Sequence, residues 1–133
     1  MKRTGKNMKN VILTLVIGLI SLVSYSQTSP VMIVGNETYD FGRVEHTKDT
    51  LVAHFWFKNQ GIGELKILSA KGSCECTVAS FPESTPGMNG GEIVVKYFSA
   101  NPGLINKSVT VTTNDSENSI IILRIKGETY KPE

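Results

Sequence analysis

The 133-residue chain is 40% hydrophobic and carries 14 Lys and Arg against 12 Asp and Glu, a formal charge of +2. Four of the basic residues, Lys2, Arg3, Lys6 and Lys9, crowd the first nine positions. Without them 10 basic residues face 12 acidic ones, a net charge of −2, so there is no basic stripe for nucleic acid, and two cysteines are too few for a disulfide scaffold.

The N-terminal cations precede a 13-residue apolar run, Val11 to Val23, well short of the roughly 20 residues that span a bilayer. Ser24-Tyr25-Ser26 then places small residues at −3 and −1 of a cut before Gln27. This pattern predicts an export signal over residues 1–26, and a mature domain over 27–133 that is periplasmic or secreted. No cysteine lies near the cut, so no lipid anchor is expected, and no stable membrane anchor after cleavage. An oxidising compartment would permit a disulfide without requiring one.

In chain order the mature segment reads as all-β. Val31 to Val34 and Tyr39 to Phe41 form short strands. Leu51 to Asn59 alternates strictly: Leu51, Ala53, Phe55, Phe57 and Asn59 share one face, and Val52, His54, Trp56 and Lys58 the other. If the phenylalanine face is the core, Trp56 and His54 lie on a surface and are candidate contact residues, since exposed aromatics favour contact sites. Asn59 with Gly61 reads as a device that ends a strand, the carboxamide bonding local backbone and the glycine accepting positive φ. Leu65, Ile67 and Leu68 open the next strand. Pro86-Gly87 and Gly90-Gly91 read as loop. Ile93, Val95 and Tyr97 alternate, Asn101-Pro102-Gly103 turns, and Lys107 to Thr113 alternates again. Asn114 to Asn118 makes a polar turn, and the nearly continuous apolar run Ile120 to Ile125 predicts a strand covered on both faces. About seven strands with turns between them, and no helical periodicity, predict an antiparallel Ig-like β-sandwich.

Cys74 and Cys76 flank Glu75 and are the only cysteines. Residues i and i+2 of an extended strand lie about 6.5–7 Å apart, while a disulfide favours Cα separations of about 4.4–6.8 Å. A bridge here therefore needs a local bend. Three readings stay open: two small side chains packed at a strand end, a redox-active disulfide, or two thiolates gripping Cu(I) or Zn. A closed zinc site wants four ligands, and only His46 and His54 could add imidazoles. No catalytic residue is assigned: the chain lacks a nucleophile elbow, an H-E-x-x-H motif, a phosphate-binding glycine loop and a paired-carboxylate site.

The stretches Tyr39-Asp40-Phe41-Gly42, Phe55-Trp56-Phe57-Lys58-Asn59-Gln60-Gly61, Leu65-Lys66-Ile67, Ser73-Cys74-Glu75-Cys76-Thr77, Pro86-Gly87, Thr113-Asn114 and Ile125-Lys126-Gly127 occur in this order. Together they cover nearly all of the mature chain. In this arrangement the chain resembles the DUF1573 family of bacterial exported proteins, most familiar from Bacteroidetes. The resemblance implies an Ig-like sandwich of the kind used as a binding or scaffolding module, and implies no activity. Glu75 stands where the family's Ser-Cys-Gly-Cys-Thr has glycine. Glutamate tolerates positive φ poorly, which argues against a tight turn and a bridge between the two sulfurs. Asp49-Thr50-Leu51 is similar to the short O-glycosylation motif of exported proteins in that phylum, which marks Thr50 as a modification site.

The expectation is thus an exported, non-catalytic module that binds a protein or another cell-envelope component and carries no cofactor. The alternative is a thiol–disulfide or Cu(I)-handling protein acting through Cys74 and Cys76. A hydrolase with an unrecognised site is the weaker third reading.

Overall fold

A computed structural model describes residues 28–133; the expected export signal and its cleavage point before Gln27 lie outside them. Nine strands and no helix are found among the described residues: β1 (Met32–Val34), β2 (Thr38–Glu45), β3 (Leu51–Asn59), β4 (Leu65–Gly72), β5 (Thr77–Ser80), β6 (Ser84–Thr85), β7 (Gly90–Tyr97), β8 (Gly103–Thr113) and β9 (Ile120–Tyr130). They form two sheets, ordered β1-β3-β7-β5 and β2-β9-β8-β4-β6. Side chains that alternate inward from each sheet meet in one core. Ala53, Phe55 and Phe57 of β3 and Ile93 and Val95 of β7 pack against Leu65, Val109, Val111, Leu123 and Ile125 of the other sheet. The Ig-like sandwich expected from the alternation of Leu51 to Asn59 is the one found.

Four local expectations change. The two strands beyond the expected seven are β5 and β6, of four and two residues, too short to show a periodicity of their own. Gly90 and Gly91 begin β7 and are not loop: a Cβ on Gly91 would lie 2.6 Å from the Phe57 ring, so the strand starts with residues that leave room for that ring. One neighbour pair is parallel, β2 with β9. These strands are far apart in the chain, and no hairpin joins them to impose the antiparallel sense. Finally, β9 is covered on one face only. Ile121, Leu123 and Ile125 are buried, while Ile120 and Ile122 are 57% and 46% exposed. A run of consecutive apolar residues does not itself say how many faces are covered.

Asn59 is the strand-ending device that the sequence suggests, with a longer reach. Its side chain is fully buried. Oδ1 accepts from the Val31 and Gly61 amides, each at 3.1 Å, and Nδ2 donates to the Gly63 carbonyl at 2.7 Å and the Thr85 carbonyl at 3.2 Å. Asp115, also buried, repeats the arrangement from the β8–β9 turn: Oδ2 accepts from Met32, and Oδ1 from Glu117 and Asn118. Gly61 serves by its missing side chain and not by positive φ, because a Cβ there would sit 2.1 Å from the Ser29 carbonyl oxygen. The segment before β1 is thereby laid directly on the β3–β4 loop.

Removing the carboxamide would strand four backbone groups, each unsatisfied buried group costing about 1–3 kcal/mol. Asn59→Ala should therefore lower the unfolding free energy in urea by at least about 3 kcal/mol. Asn118→Ala, at an exposed side chain, should stay within about 0.5 kcal/mol of the wild type. A loss below about 1 kcal/mol for Asn59→Ala would contradict the central placement given to this residue.

Candidate functional site

The outward positions of β3 are Val52, His54, Trp56 and Lys58, a consequence of the two-residue period that buries Ala53, Phe55 and Phe57. Trp56 is 65% exposed. It stands in register with Glu92 of β7, and His54 with Val94. The His54 Nδ1 pairs diagonally with the Glu92 carboxylate, so this acid and this imidazole satisfy one another beside the indole. On the other side β1 places Ile33 opposite Lys58, with Gly35 donating its amide to the Trp56 carbonyl. Ile33, Gly35, Trp56 and Lys58 line a shallow recess of about 260 Å³. His54 and Trp56 thus share one exposed face of β3.

Cys74 and Cys76 lie in the turn between β4 and β5, not at an extended strand end. They are joined by a disulfide across a Cα separation of 5.2 Å. The turn supplies the bend that an extended strand lacks. Glu75 takes it without positive φ; among non-glycine residues described, only Met88 has one, so the bridge does not need the family's glycine. The expectation that Glu75 disfavours the bridge is therefore overturned, as is the reading of two separate packed thiols.

This turn is also where the chain passes from the second sheet to the first. The Ser73 amide donates to the Ser108 carbonyl of β8 at 2.8 Å, and the Ser108 amide donates to the Ser73 hydroxyl at 3.2 Å. The Thr77 amide donates to the Cys74 carbonyl at 3.2 Å, and the Phe98 amide beyond β7 to the Cys76 carbonyl at 3.0 Å. Both cysteines are half-buried and Glu75 is exposed. Thr77 is buried, with its hydroxyl 3.4 Å from Cys74 Sγ and 3.9 Å from Cys76 Sγ. A bridged sulfur carries no proton, so this hydroxyl is the donor. Sequence reading passed over Thr77, whose role depends on how the turn folds back.

Metal binding does not fit this arrangement. Soft-metal ligation needs thiolates, and both sulfurs are spent in the bridge. His46 bonds through Nε2 to the Ser99 carbonyl and His54 to Glu92, so neither is drawn toward the cysteines. Among the described residues no group of three or more His, Cys, Asp or Glu could hold a metal ion.

Thr50 is exposed in the irregular segment just before β3, next to exposed Asp49. A groove of about 500 Å³ runs over the outer face of β2, β9 and β8. There Asp40 faces Lys126 at 4.0 Å, and Arg43 is in register with Glu128. The groove thus carries two acidic and two basic side chains, with the Arg43 guanidinium lying over the Tyr130 ring.

The family model of DUF1573, a protein family of unknown function, matches residues 32–129. No curated protein sequence matches the chain. Among solved structures it is similar to a protein of unknown function from Porphyromonas gingivalis W83, with a TM-score of 0.68 at 15% identity. That match covers 80% of this chain and 50% of the other, so the chain spans about half the length of this relative. The ASH/PapD-like domain 7 of human CEP192 superposes with a TM-score of 0.58 at 14% identity, covering 84% of this chain and 93% of that one. The secreted serine protease VesC from Vibrio cholerae gives 0.54 at 8% identity, covering 77% of this chain and 23% of the protease. At these identities the likeness is one of fold.

The bridge closes a loop of only three residues, worth about 1.6 kcal/mol in the chain-entropy account. The double variant Cys74→Ser with Cys76→Ser should therefore fold and lose no more than about 2 kcal/mol in urea. In the wild type, alkylation of a native extract should leave the intact mass unchanged until a reductant is added. Labelling of both cysteines without reduction would contradict the bridged site.

Proposed function

For this chain, which belongs to the DUF1573 family, we propose the role of an exported, non-catalytic binding module that engages a protein or another cell-envelope component through the outer face of its β1-β3-β7-β5 sheet. One observation carries the reading. The chain's only tryptophan is 65% exposed at the middle of a sheet face, beside exposed Ile33. Tryptophan is usually well buried, and where it is not it is enriched in the energetic centres of interfaces. The His54–Glu92 pair and Lys58 surround it with polar groups, in the manner of an interface rim. The family match and the PapD-like fold are consistent with a module that binds without turnover.

Export follows from the N-terminal pattern, and Thr50 is proposed as an O-glycosylation site on its exposure and its Asp49-Thr50-Leu51 setting. Both are read together by the intact mass of the protein recovered from its native host. The chain should begin at Gln27 and carry a glycan mass that Thr50→Val removes. A recovered chain that retains residues 1–26 and has no added mass would contradict both.

Trp56→Ala should change the unfolding free energy by less than about 1 kcal/mol, because little of the indole is buried. Crosslinking in intact cells should yield partner adducts with the wild type that this variant loses, each interface tryptophan of this kind being worth about 2 kcal/mol or more. Identical adducts from a folded Trp56→Ala protein would move the contact surface elsewhere.

A further inference from the structure

We propose that the Cys74–Cys76 bridge is a thiol–disulfide exchange site whose released thiolate is met by the Thr77 hydroxyl. This stands apart from the Trp56 face and adds to the binding role a stoichiometric exchange with a dithiol partner.

Three features of the turn carry it. The first is access: both cysteines are half-buried in a surface turn beside the exposed Glu75, with Cys76 packed against the margin of the core. The second is independence of the turn from its own bridge. Ser73, Cys74, Cys76 and Thr77 are held by four hydrogen bonds that involve no sulfur, to Ser108, to Phe98 and across the turn. Opening the S–S bond therefore leaves the two cysteines facing one another, poised to close again. A bridge retained for stability would enclose a longer loop.

The third feature is Thr77. Its side chain is buried, and its hydroxyl lies within reach of both sulfurs, nearer to Cys74. A hydrogen bond to an ionised acceptor is stronger than one to a neutral atom. The same hydroxyl therefore favours the state in which one sulfur carries negative charge, and thiol–disulfide exchange runs faster when the leaving sulfur is the better anion.

The step balances with a dithiol as reductant. A thiolate of the partner attacks one Sγ, forming a mixed disulfide. The Cys74–Cys76 bond breaks with its electron pair on the other sulfur, where the Thr77 hydroxyl donates to it until it takes a proton from water. The partner's second thiolate then attacks the partner's own sulfur in the mixed disulfide and releases the remaining cysteine thiolate, which is protonated in turn. Two electrons pass to the bridge, and the partner leaves as a disulfide. The reverse direction oxidises a dithiol.

The test uses the folded, oxidised mature chain with dithiothreitol as the dithiol, quenched by alkylation and read by intact mass, with circular dichroism followed in parallel. The bridge should open while the β-sheet signal is unchanged, and, once dithiothreitol is removed, re-form as a monomeric Cys74–Cys76 bridge with glutathione disulfide, which leaves as two glutathione thiols. Thr77→Val should slow opening by about tenfold, the scale of one hydrogen bond to a charged sulfur. Thr77→Ser, which keeps the hydroxyl, should return the rate to within about twofold of the wild type. Opening only after unfolding would overturn the exchange site. An unchanged rate in a folded Thr77→Val protein would overturn the role of the hydroxyl. If Thr77→Val does not fold, native opening of the wild-type bridge and the rate of Thr77→Ser decide the matter.

Discussion

Val31 before β1, Gly61 and Gly63 in the β3–β4 loop and Thr85 of β6 send backbone groups that converge on the carboxamide of Asn59. A sandwich of short strands leaves many backbone groups near its ends without ladder partners, and each such group that is buried must find one. Asn59 answers for four of them with one side chain that has two donors and two acceptor lone pairs. Asp115 does the same at the β8–β9 turn and takes the Met32 amide. Between them, the three-residue β1 is fixed as the edge of its sheet, far more firmly than its own length would allow. Among the described residues no buried side-chain nitrogen or oxygen lacks a partner.

The remaining geometry follows from that closure. With β1 in place, the first sheet presents Ile33 and Trp56 side by side on its outer face. At its far edge β5 takes the chain in from the second sheet through the Cys74–Cys76 turn. The two sites of interest are thus Trp56 on the inner strand β3 and the turn that enters the edge strand β5, on a frame held by hydrogen bonds and a shared core. The frame does not rely on the disulfide, which spans only three residues and whose flanking turn is tied independently to Ser108 and Phe98. Such a frame lets a surface carry function without putting the fold at risk.

Strict alternation made β3 legible from the residues alone, including that Phe55 and Trp56 face opposite ways, but which face is covered depends on where the second sheet packs. Asn59 was legible in its local part only. Its bond to Gly61 is two residues away, but those to Val31 and Thr85 span 28 and 26 residues and depend on the tertiary path. The run Ile120 to Ile125 misled because consecutive apolar residues do not reveal whether a second layer exists. The cysteine pair was the hardest to read. The spacing of Cys74 and Cys76 showed that a bend was needed, but the bend comes from a crossover between sheets that ends in the four-residue β5. Glu75 then settles into that turn without the backbone conformation that would have demanded glycine. Thr77 stood in the sequence only as the last residue of the Ser73–Thr77 stretch, and its role lies in the return of its side chain toward the sulfurs.

The central claim is that a hydrogen-bonded frame carries the fold while the bridge is free to open and close. Amide hydrogen exchange on the oxidised protein and on the dithiothreitol-reduced protein tests it most directly. Protection should change only at Cys74, Glu75 and Cys76, with the Ser73, Thr77 and Phe98 amides, Val31, Met32 and the core strands β3, β7, β8 and β9 unchanged. Loss of protection spread through both sheets on reduction would show instead that the bridge is a structural staple, and would contradict the account.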